Sequence, residues 1–224
     1  MLLLPGIEGS PAVWETTAQA LGARAHCPRL PSGPDLAAQA QALAATLEGG
    51  PWVVVGASYG GLLGWALADG AQVAVRALIV VGSLPSPSAM PRWMVPASRV
   101  AAATPDPIRR AAWRARLRAG LAADLRPGPW MDRIVAEADG WNATPDRIAA
   151  VGRWGLSARP APPTLFLRGA ADRECRWAVH DLVAMGWTAR ELPGAHRPFL
   201  RGQAGLAPLI DAAIAAILRG SPPW

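Results

Sequence analysis

The stretch Val53–Gly61, VVVGASYGG, decides the fold, because an apolar run of strand length stops at a glycine and a single hydroxyl follows it. Gly56–Gly60 has the pattern Gly-x-Ser-x-Gly, and residues 62–68 continue with a sequence suited to a helix. When this pentapeptide lies between a strand and a helix, it forms a very tight turn at the serine. The residues that flank the serine must then have very small side chains or none. The stretch therefore predicts that Ser58 lies at the carboxyl end of a buried strand.

Short apolar runs of the kind found in buried parallel strands recur along the chain, and helical patterns separate most of them. This alternation predicts an α/β fold, with a mostly parallel sheet of about six strands and helices on both faces. The predicted strands are Leu2–Leu4, Ala23–Cys27, Trp52–Val55, Ala77–Val81, Thr164–Leu167 and Thr188–Leu192.

The alternation breaks in residues 85–163, which contain no convincing strand but several helix starts. Thr104-Pro105-Asp106 and Thr144-Pro145-Asp146 both combine a capping residue with a proline. We interpret this segment as a helical cap inserted into a core of residues 1–84 and 164–224. Its tryptophans either close over a pocket on the sheet or attach the cap to the core. They are Trp93, Trp113, Trp130, Trp141 and Trp154.

A serine becomes a useful nucleophile only beside a base that is held by an acid. The chain has three histidines, and His196 is the best candidate because it follows the last predicted strand. His26 and His180 lie in a predicted strand and a predicted helix and are more typical of structural residues. Asp172 lies in the turn after the predicted strand Thr164–Leu167, one strand earlier in the chain. The chain order Ser58, Asp172, His196 is the order expected for this constellation.

Backbone N–H groups are expected to stabilise negative charge near Ser58. Tyr59 offers one, at the start of the predicted helix. Ile7 offers the other, in the loop after the first strand, where Gly6 would let the backbone approach a substrate. The alternative is that this loop only connects a strand to a helix.

The chain resembles an α/β-hydrolase over nearly its whole length. Within that superfamily, Ala195–Leu200 and Pro5-Gly6-Ile7, with Trp14 further along, resemble the pimeloyl-acyl-carrier-protein methyl ester esterases of biotin synthesis. Pro5-Gly6 stands where many relatives have His-Gly, and the chain begins at the strand before that loop. The superfamily resemblance rests on Leu4-Pro5-Gly6, Gly56–Gly61, Gly169–Asp172 and Gly194–His196.

The resemblance implies hydrolysis of a carboxylic ester through an acyl-enzyme, with no cofactor and no metal. A thioesterase or acyltransferase would use the same three residues, and a non-catalytic ligand-binding homologue would be expected to lose one of them. The substrate-binding candidates are Gly6, Trp14, Trp113 and Leu117.

The predicted helix around residues 109–118 carries two neighbouring stripes. Trp113, Leu117 and Leu121 form an apolar stripe, and the other stripe contains Arg110, Arg114 and Arg118. Such a surface would suit an acyl ester on an acidic acyl carrier protein, in line with the resemblance. The alternative is a solvated face of an arginine-rich helix.

The net charge of +6 comes from 22 basic residues, all of them arginine, in a chain also rich in alanine, glycine and proline. This pattern is typical of biased genomic composition, and nothing in it resembles a nucleic-acid-binding module. We find no leader, no stretch of the roughly 20 apolar residues that a membrane span needs and no metal-ligand spacing at Cys27 or Cys175. We expect a cytoplasmic protein.

Overall fold

A computed structural model describes residues 1–70, 73–86, 89–138, 140–153, 155–158, 160, 162–175, 177–201 and 205–218. Within them five strands form a single parallel sheet whose strand order follows the chain. They are β1 (Leu2–Leu4), β2 (Trp52–Ala57), β3 (Val75–Val81), β4 (Thr164–Gly169) and β5 (Thr188–Leu192).

Helices follow most of the strands, as the alternating pattern predicts. Short 3-10 helices span Pro11–Trp14, Gly22–Arg24 and Pro198–Leu200. The α-helices outside the insertion are α1 (Glu15–Leu21), α2 (Leu36–Ala44), α3 (Tyr59–Asp69), α8 (Val179–Ala184) and α9 (Ala207–Leu218), and those of the insertion are α4 (Met94–Ala103), α5 (Asp106–Leu121), α6 (Pro129–Glu137) and α7 (Gly140–Arg153).

The α/β fold class is confirmed, but the predicted strand Ala23–Cys27 is wrong. A 3-10 helix occupies its start, and only an isolated bridge joins His26 to Leu2. Pro28 follows closely and has no N–H group to donate to a sheet, which explains why the pairing stops there. The described residues therefore form five strands rather than about six.

Alternate residues of the central strand β3 point to opposite faces of the sheet, as the pleat requires. Leu78 and Val80 pack into one buried cluster, and Ile79 and Val81 into the other. Since helices cover both faces, the sheet is held between two apolar cores. This double burial explains why the strands read as continuous apolar runs.

The described residues between β3 and β4 form helices α4 to α7 and no strand. Helix α5 begins at Asp106, as predicted, but the predicted start at Thr144 is wrong. Pro145 lies inside α7, which begins at Gly140. In the described part of the chain, every helix is too short or too polar to cross a bilayer.

Candidate active site

The turn between β2 and α3 places Ser58 at the carboxyl edge of the sheet. Ser58 is the only non-glycine among the described residues with a positive φ, 49°, which is a strained conformation. Its N–H donates to the Val81 carbonyl at 2.7 Å. A Cβ at Gly56 would lie 2.5 Å from Gly61 N, and one at Gly60 would lie 2.5 Å from Leu4 O. The two glycines are therefore required by close backbone contacts, as the pentapeptide predicts.

A buried acid and base lie at the same edge, after β4 and β5. Asp172 Oδ2 is 3.0 Å from His196 Nδ1, and the two side chains are 0% and 8% exposed. Asp172 Oδ1 accepts hydrogen bonds from the N–H groups of Glu174 (2.8 Å) and Cys175 (3.0 Å). Since an ionised carboxylate only accepts hydrogen bonds, Nδ1 of His196 carries the proton and Nε2 is left to act as a base.

Two opposing effects set the pKa of Asp172. Burial is the largest and would raise it, but the hydrogen bond and charge of His196 lower it, and so do the backbone N–H groups of Cys175 and Glu174. The lowering effects win together, and the pKa of Asp172 lies below its usual value. The carboxyl group is therefore ionised at neutral pH and can stabilise a charged imidazole.

Backbone contacts hold the loop that carries His196 against the sheet. Gly82 has a φ of 55° and lies close to this loop. A Cβ at Gly82 would be 2.7 Å from His196 O and 3.3 Å from the imidazole ring. The Ala171 N–H donates to Gly194 O at 2.8 Å. On the other side, Asp124 of the insertion accepts hydrogen bonds from Ala195 N (2.6 Å) and Arg197 N (2.8 Å).

The Nε2 atom of His196 has a second carboxylate nearby. Glu174 Oε2, on a half-exposed side chain, lies 3.7 Å from Nε2. Cys175 is buried on the Nδ1 side, with Sγ at 4.0 Å from Nδ1. Burial first, and then the charge of Asp172, raise the pKa of the Cys175 thiol well above its usual value, so the thiol is neutral.

Among the described residues, Asp172, Cys175 and His196 are the one group whose side-chain atoms lie close enough, within 4.8 Å, to hold a metal ion. A metal would need the thiolate form of cysteine, which the raised pKa of Cys175 disfavours. Asp172 and His196 already hydrogen-bond each other. The trio therefore fits an acid and base beside a neutral thiol better than it fits a metal centre.

A cavity of about 450 Å³ opens in front of Ser58 and His196. Ile7 and Tyr59 also line it, and among the described residues neither backbone N–H has a hydrogen-bond partner. The charged residues on its wall are Arg116, Glu174 and Arg197. Most of the remaining wall is apolar, with Leu62, Leu84, Trp93, Met94, Trp113 and Leu117.

The structure separates the predicted substrate-binding residues into two groups. Trp113 and Leu117 line the cavity. Trp14 does not: it is fully buried and stacks on Phe199 with ring centroids 4.2 Å apart. Gly6 does not line the cavity either, because the Glu8 carboxylate fills the space beside it and would lie 2.6 Å from an added Cβ. These two residues shape the core and the loop rather than the cavity wall.

The tryptophans of the insertion also divide by role. Trp93 and Trp113 line the cavity, whereas Trp130 attaches the insertion to the core by donating its indole N–H to Ala12 O at 2.7 Å. The side chain of Trp141 and the whole of Trp154 lie outside the described residues.

The predicted arginine stripe of α5 faces solvent. Arg110, Arg114 and Arg118 are exposed and do not line the cavity. Arg118 pairs with Asp132 at 2.9 Å. The arginine of α5 that reaches the cavity is Arg116, whose guanidinium lies 5.0 Å from the centre of the Trp93 ring.

The sequence pattern did not reveal three buried charged residues that hold the loops of the candidate site. Glu8 accepts a hydrogen bond from the Gly6 N–H at 3.0 Å, and Arg147 of α7 donates to Ile7 O at 2.6 Å. Asp124 is the third. A carboxylate between glycines could have drawn attention to Glu8, but Asp124 and Arg147 act across more than 70 residues and carry no local signal.

The comparison with known families agrees with this architecture. Residues 1–209 match the model of the alpha/beta hydrolase family. The chain therefore belongs to the alpha/beta hydrolase family. No curated protein matches the sequence.

Similar solved structures include three enzymes of different specificity. A thermophilic esterase from Thermogutta terrifontis has 18% identity and a TM-score of 0.63, over 98% of this chain and 89% of that one. A putative epoxide hydrolase from Pseudomonas aeruginosa has 16% identity and a TM-score of 0.75, over 97% of this chain and 89% of that one. The RedJ thioesterase from the prodiginine pathway of Streptomyces coelicolor has 21% identity and a TM-score of 0.61, over 94% of this chain and 87% of that one. At these identities the likeness establishes the fold alone.

Proposed function

We propose that the protein is a serine hydrolase that cleaves a carboxylic ester through an acyl-enzyme. One observation carries the proposal: a strained serine at a helix N-terminus shares a cavity with a histidine whose far nitrogen is bound to a buried carboxylate. Ser58 is the nucleophile, His196 the base and Asp172 the acid.

The reaction begins when Ser58 Oγ attacks the ester carbonyl and His196 Nε2 takes its proton. The N–H groups of Ile7 and Tyr59 bind the oxyanion that forms. The tetrahedral intermediate collapses, the C–O bond of the ester breaks, and His196 gives its proton to the departing alcohol. Water, deprotonated by His196, then attacks the acyl-enzyme, and collapse returns a proton to Ser58 and releases the acid.

Asp172 supports both steps because its ionised carboxylate faces the imidazole proton on Nδ1. The carboxylate holds one tautomer and stabilises the imidazolium that forms when Nε2 is protonated. The lowered pKa of Asp172 supports this role, since the group stays charged at neutral pH.

The cavity supports a substrate with a small or medium acyl chain. Its volume of about 450 Å³ and its mostly apolar wall suit an aliphatic or aryl ester. A carrier-bound ester such as a pimeloyl methyl ester is the finer proposal. Arg110, Arg114 and Arg118 would contact the acidic carrier from the exposed side of α5.

A fluorophosphonate probe tests the nucleophile directly. We expect labelling of the wild type and none of Ser58→Ala. Ser83→Ala is the matched control, because Ser83 is a buried serine on the same cavity wall whose hydroxyl makes no hydrogen bond among the described residues. Failure of the folded wild type to react, or full labelling of Ser58→Ala, would contradict the proposal.

Competing substrates then separate the ester and thioester reactions. A thioesterase would share the acyl-enzyme and differ only in the leaving group, so methyl, aryl and thioesters of the same acid are compared. Reversing the charge of Arg110, Arg114 and Arg118 should weaken turnover of a carrier-bound ester and spare a small free ester. Arg190→Glu, at an exposed position on β5, is the control. Equal losses on both esters would count against the carrier contact.

A further inference from the structure

We propose that Asp124, in the turn between α5 and α6, is a positioning residue that holds His196 in place from the helical insertion. This inference rests on the proposed function for its consequence in catalysis. Asp124 does not touch the imidazole, and it would act through the backbone on either side of the histidine.

Asp124 contacts the backbone of the two residues that flank His196 in the sequence. Asp124 Oδ1 accepts from the N–H of Ala195 at 2.6 Å, and Oδ2 accepts from the N–H of Arg197 at 2.8 Å. One carboxylate therefore joins the residue before His196 to the residue after it. This segment of backbone is outside any strand, so its N–H groups have no ladder to supply partners.

The site is built for this carboxylate. The Asp124 side chain is 0% exposed, and Arg201 Nε lies 3.1 Å from Oδ1. Gly194 has a φ of 131°, and a Cβ there would lie 2.8 Å from Oδ1. Since a side chain at residue 194 would push Asp124 away, the glycine and the carboxylate fit each other.

The consequence for the site follows from geometry. His196 must face Asp172 with Nδ1 and the cavity with Nε2 at the same time. The core holds one side of its loop through Ala171 and Gly82, and Asp124 holds the other. Without Asp124 the buried N–H of Arg197 and the partly buried N–H of Ala195 lose their partner, and the loop can satisfy them again only by moving.

The test uses Asp124→Asn and Asp124→Ala in the full chain. An asparagine of the same shape has one acceptor oxygen, so its NH₂ group would face one of the two N–H donors. We expect the rate of fluorophosphonate labelling and the kcat for an aryl ester to fall about ten- to hundredfold, because displacements of about 1 Å cost that much. KM should change little, because Asp124 does not line the cavity.

Three further measurements separate positioning from general stability. Asp132→Asn, which removes an exposed carboxylate from α6, should leave both rates unchanged. The low-field proton resonance of His196 Nδ1–H should shift or broaden in Asp124→Asn. In the wild type, the amide protons of Ala195 and Arg197 should exchange slowly with solvent, which needs no variant and holds even if a variant does not fold.

The proposal is overturned if folded Asp124→Asn keeps wild-type labelling, kcat and resonance, or if the two wild-type amides exchange rapidly. A wild type that neither reacts with the probe nor hydrolyses esters would instead refute the proposed function. The resonance and the amide exchange do not depend on Ser58 reacting, so they would still decide whether Asp124 positions His196.

Discussion

Replacing Gly60 with alanine should damage both the stability and the activity of the protein. An added Cβ would lie 2.5 Å from Leu4 O and even closer to Pro5 O, and both are backbone atoms that cannot rotate away. Ordinary contacts of this kind begin at 3.4 Å, so α3 must move away from the end of β1 and the start of the loop after it by about 1 Å.

The cost follows from that displacement. Overpacking a close-packed interior costs about 1–3 kcal/mol of the free energy of unfolding, and we expect the upper half of this range because the obstacle is backbone. The same movement would separate Tyr59 from Ile7, the two proposed oxyanion donors. A misplacement of about 1 Å predicts a further loss of about a hundredfold in kcat.

Two other glycines give a graded comparison by urea unfolding and aryl ester hydrolysis. At Gly64 a Cβ would meet side-chain carbons of Val54 and Leu78 at 2.9 and 3.0 Å, so Gly64→Ala should cost less than Gly60→Ala. At Gly152, near the end of α7, nothing lies within 4 Å. Gly152→Ala should be neutral or stabilising by up to about 1 kcal/mol. A wild-type urea midpoint for Gly60→Ala would refute this reasoning.

Three other predictions concern titration, thiol reactivity and packing. The pKa of Asp172 is lowered on folding, so its contribution to stability is present above about pH 4 and is lost as the pH falls further. Below about pH 4, the free energy of unfolding should therefore decrease more steeply with falling pH in the wild type than in Asp172→Asn. Burial raises the pKa of Cys175 and brings that of Cys27 to about 11, so both should resist iodoacetamide at pH 8 until urea unfolds the chain. Trp130→Phe removes the bond to Ala12 and should cost about 1 kcal/mol with activity unchanged.

For each of these three predictions, a specific result would contradict the reasoning. Parallel pH profiles for the wild type and Asp172→Asn would contradict the lowered pKa. Fast alkylation of Cys175 in the folded protein would contradict its burial. A loss of activity in Trp130→Phe without a loss of stability would mean that this tryptophan serves the site rather than the attachment of the insertion.

The sequence predicted those parts of the fold that depend on local rules. Gly56 and Gly60 flank Ser58 because the turn has no room for side chains, and this requirement is visible in five residues. The strands are equally visible, because burial on both faces makes each one a continuous apolar run. The failed strand at Ala23–Cys27 shows the limit, since Pro28 ends the pairing after one bridge.

The parts that could not be predicted depend on contacts between distant residues. Trp14 is a large aromatic residue near the first loop, and only the folded chain shows that it packs on Phe199 instead of reaching the cavity. On α5, the spacing of the arginines did not show which side of the helix faces the cavity. Arg116 lies on that side, and Arg110, Arg114 and Arg118 do not. Asp124 meets its partners across 71 and 73 residues, and no sequence period encodes such a contact.

The parallel arrangement of the strands sends every candidate site loop to one rim of the sheet and leaves the opposite rim free of them. The turn of residues 48–51, which leads into β2 from that opposite rim, is solvent-exposed throughout. A peptide tag or a surface anchor introduced there would emerge on the far side of the molecule from the cavity mouth. Immobilised protein attached at this turn should therefore keep its entrance open to bulky molecules.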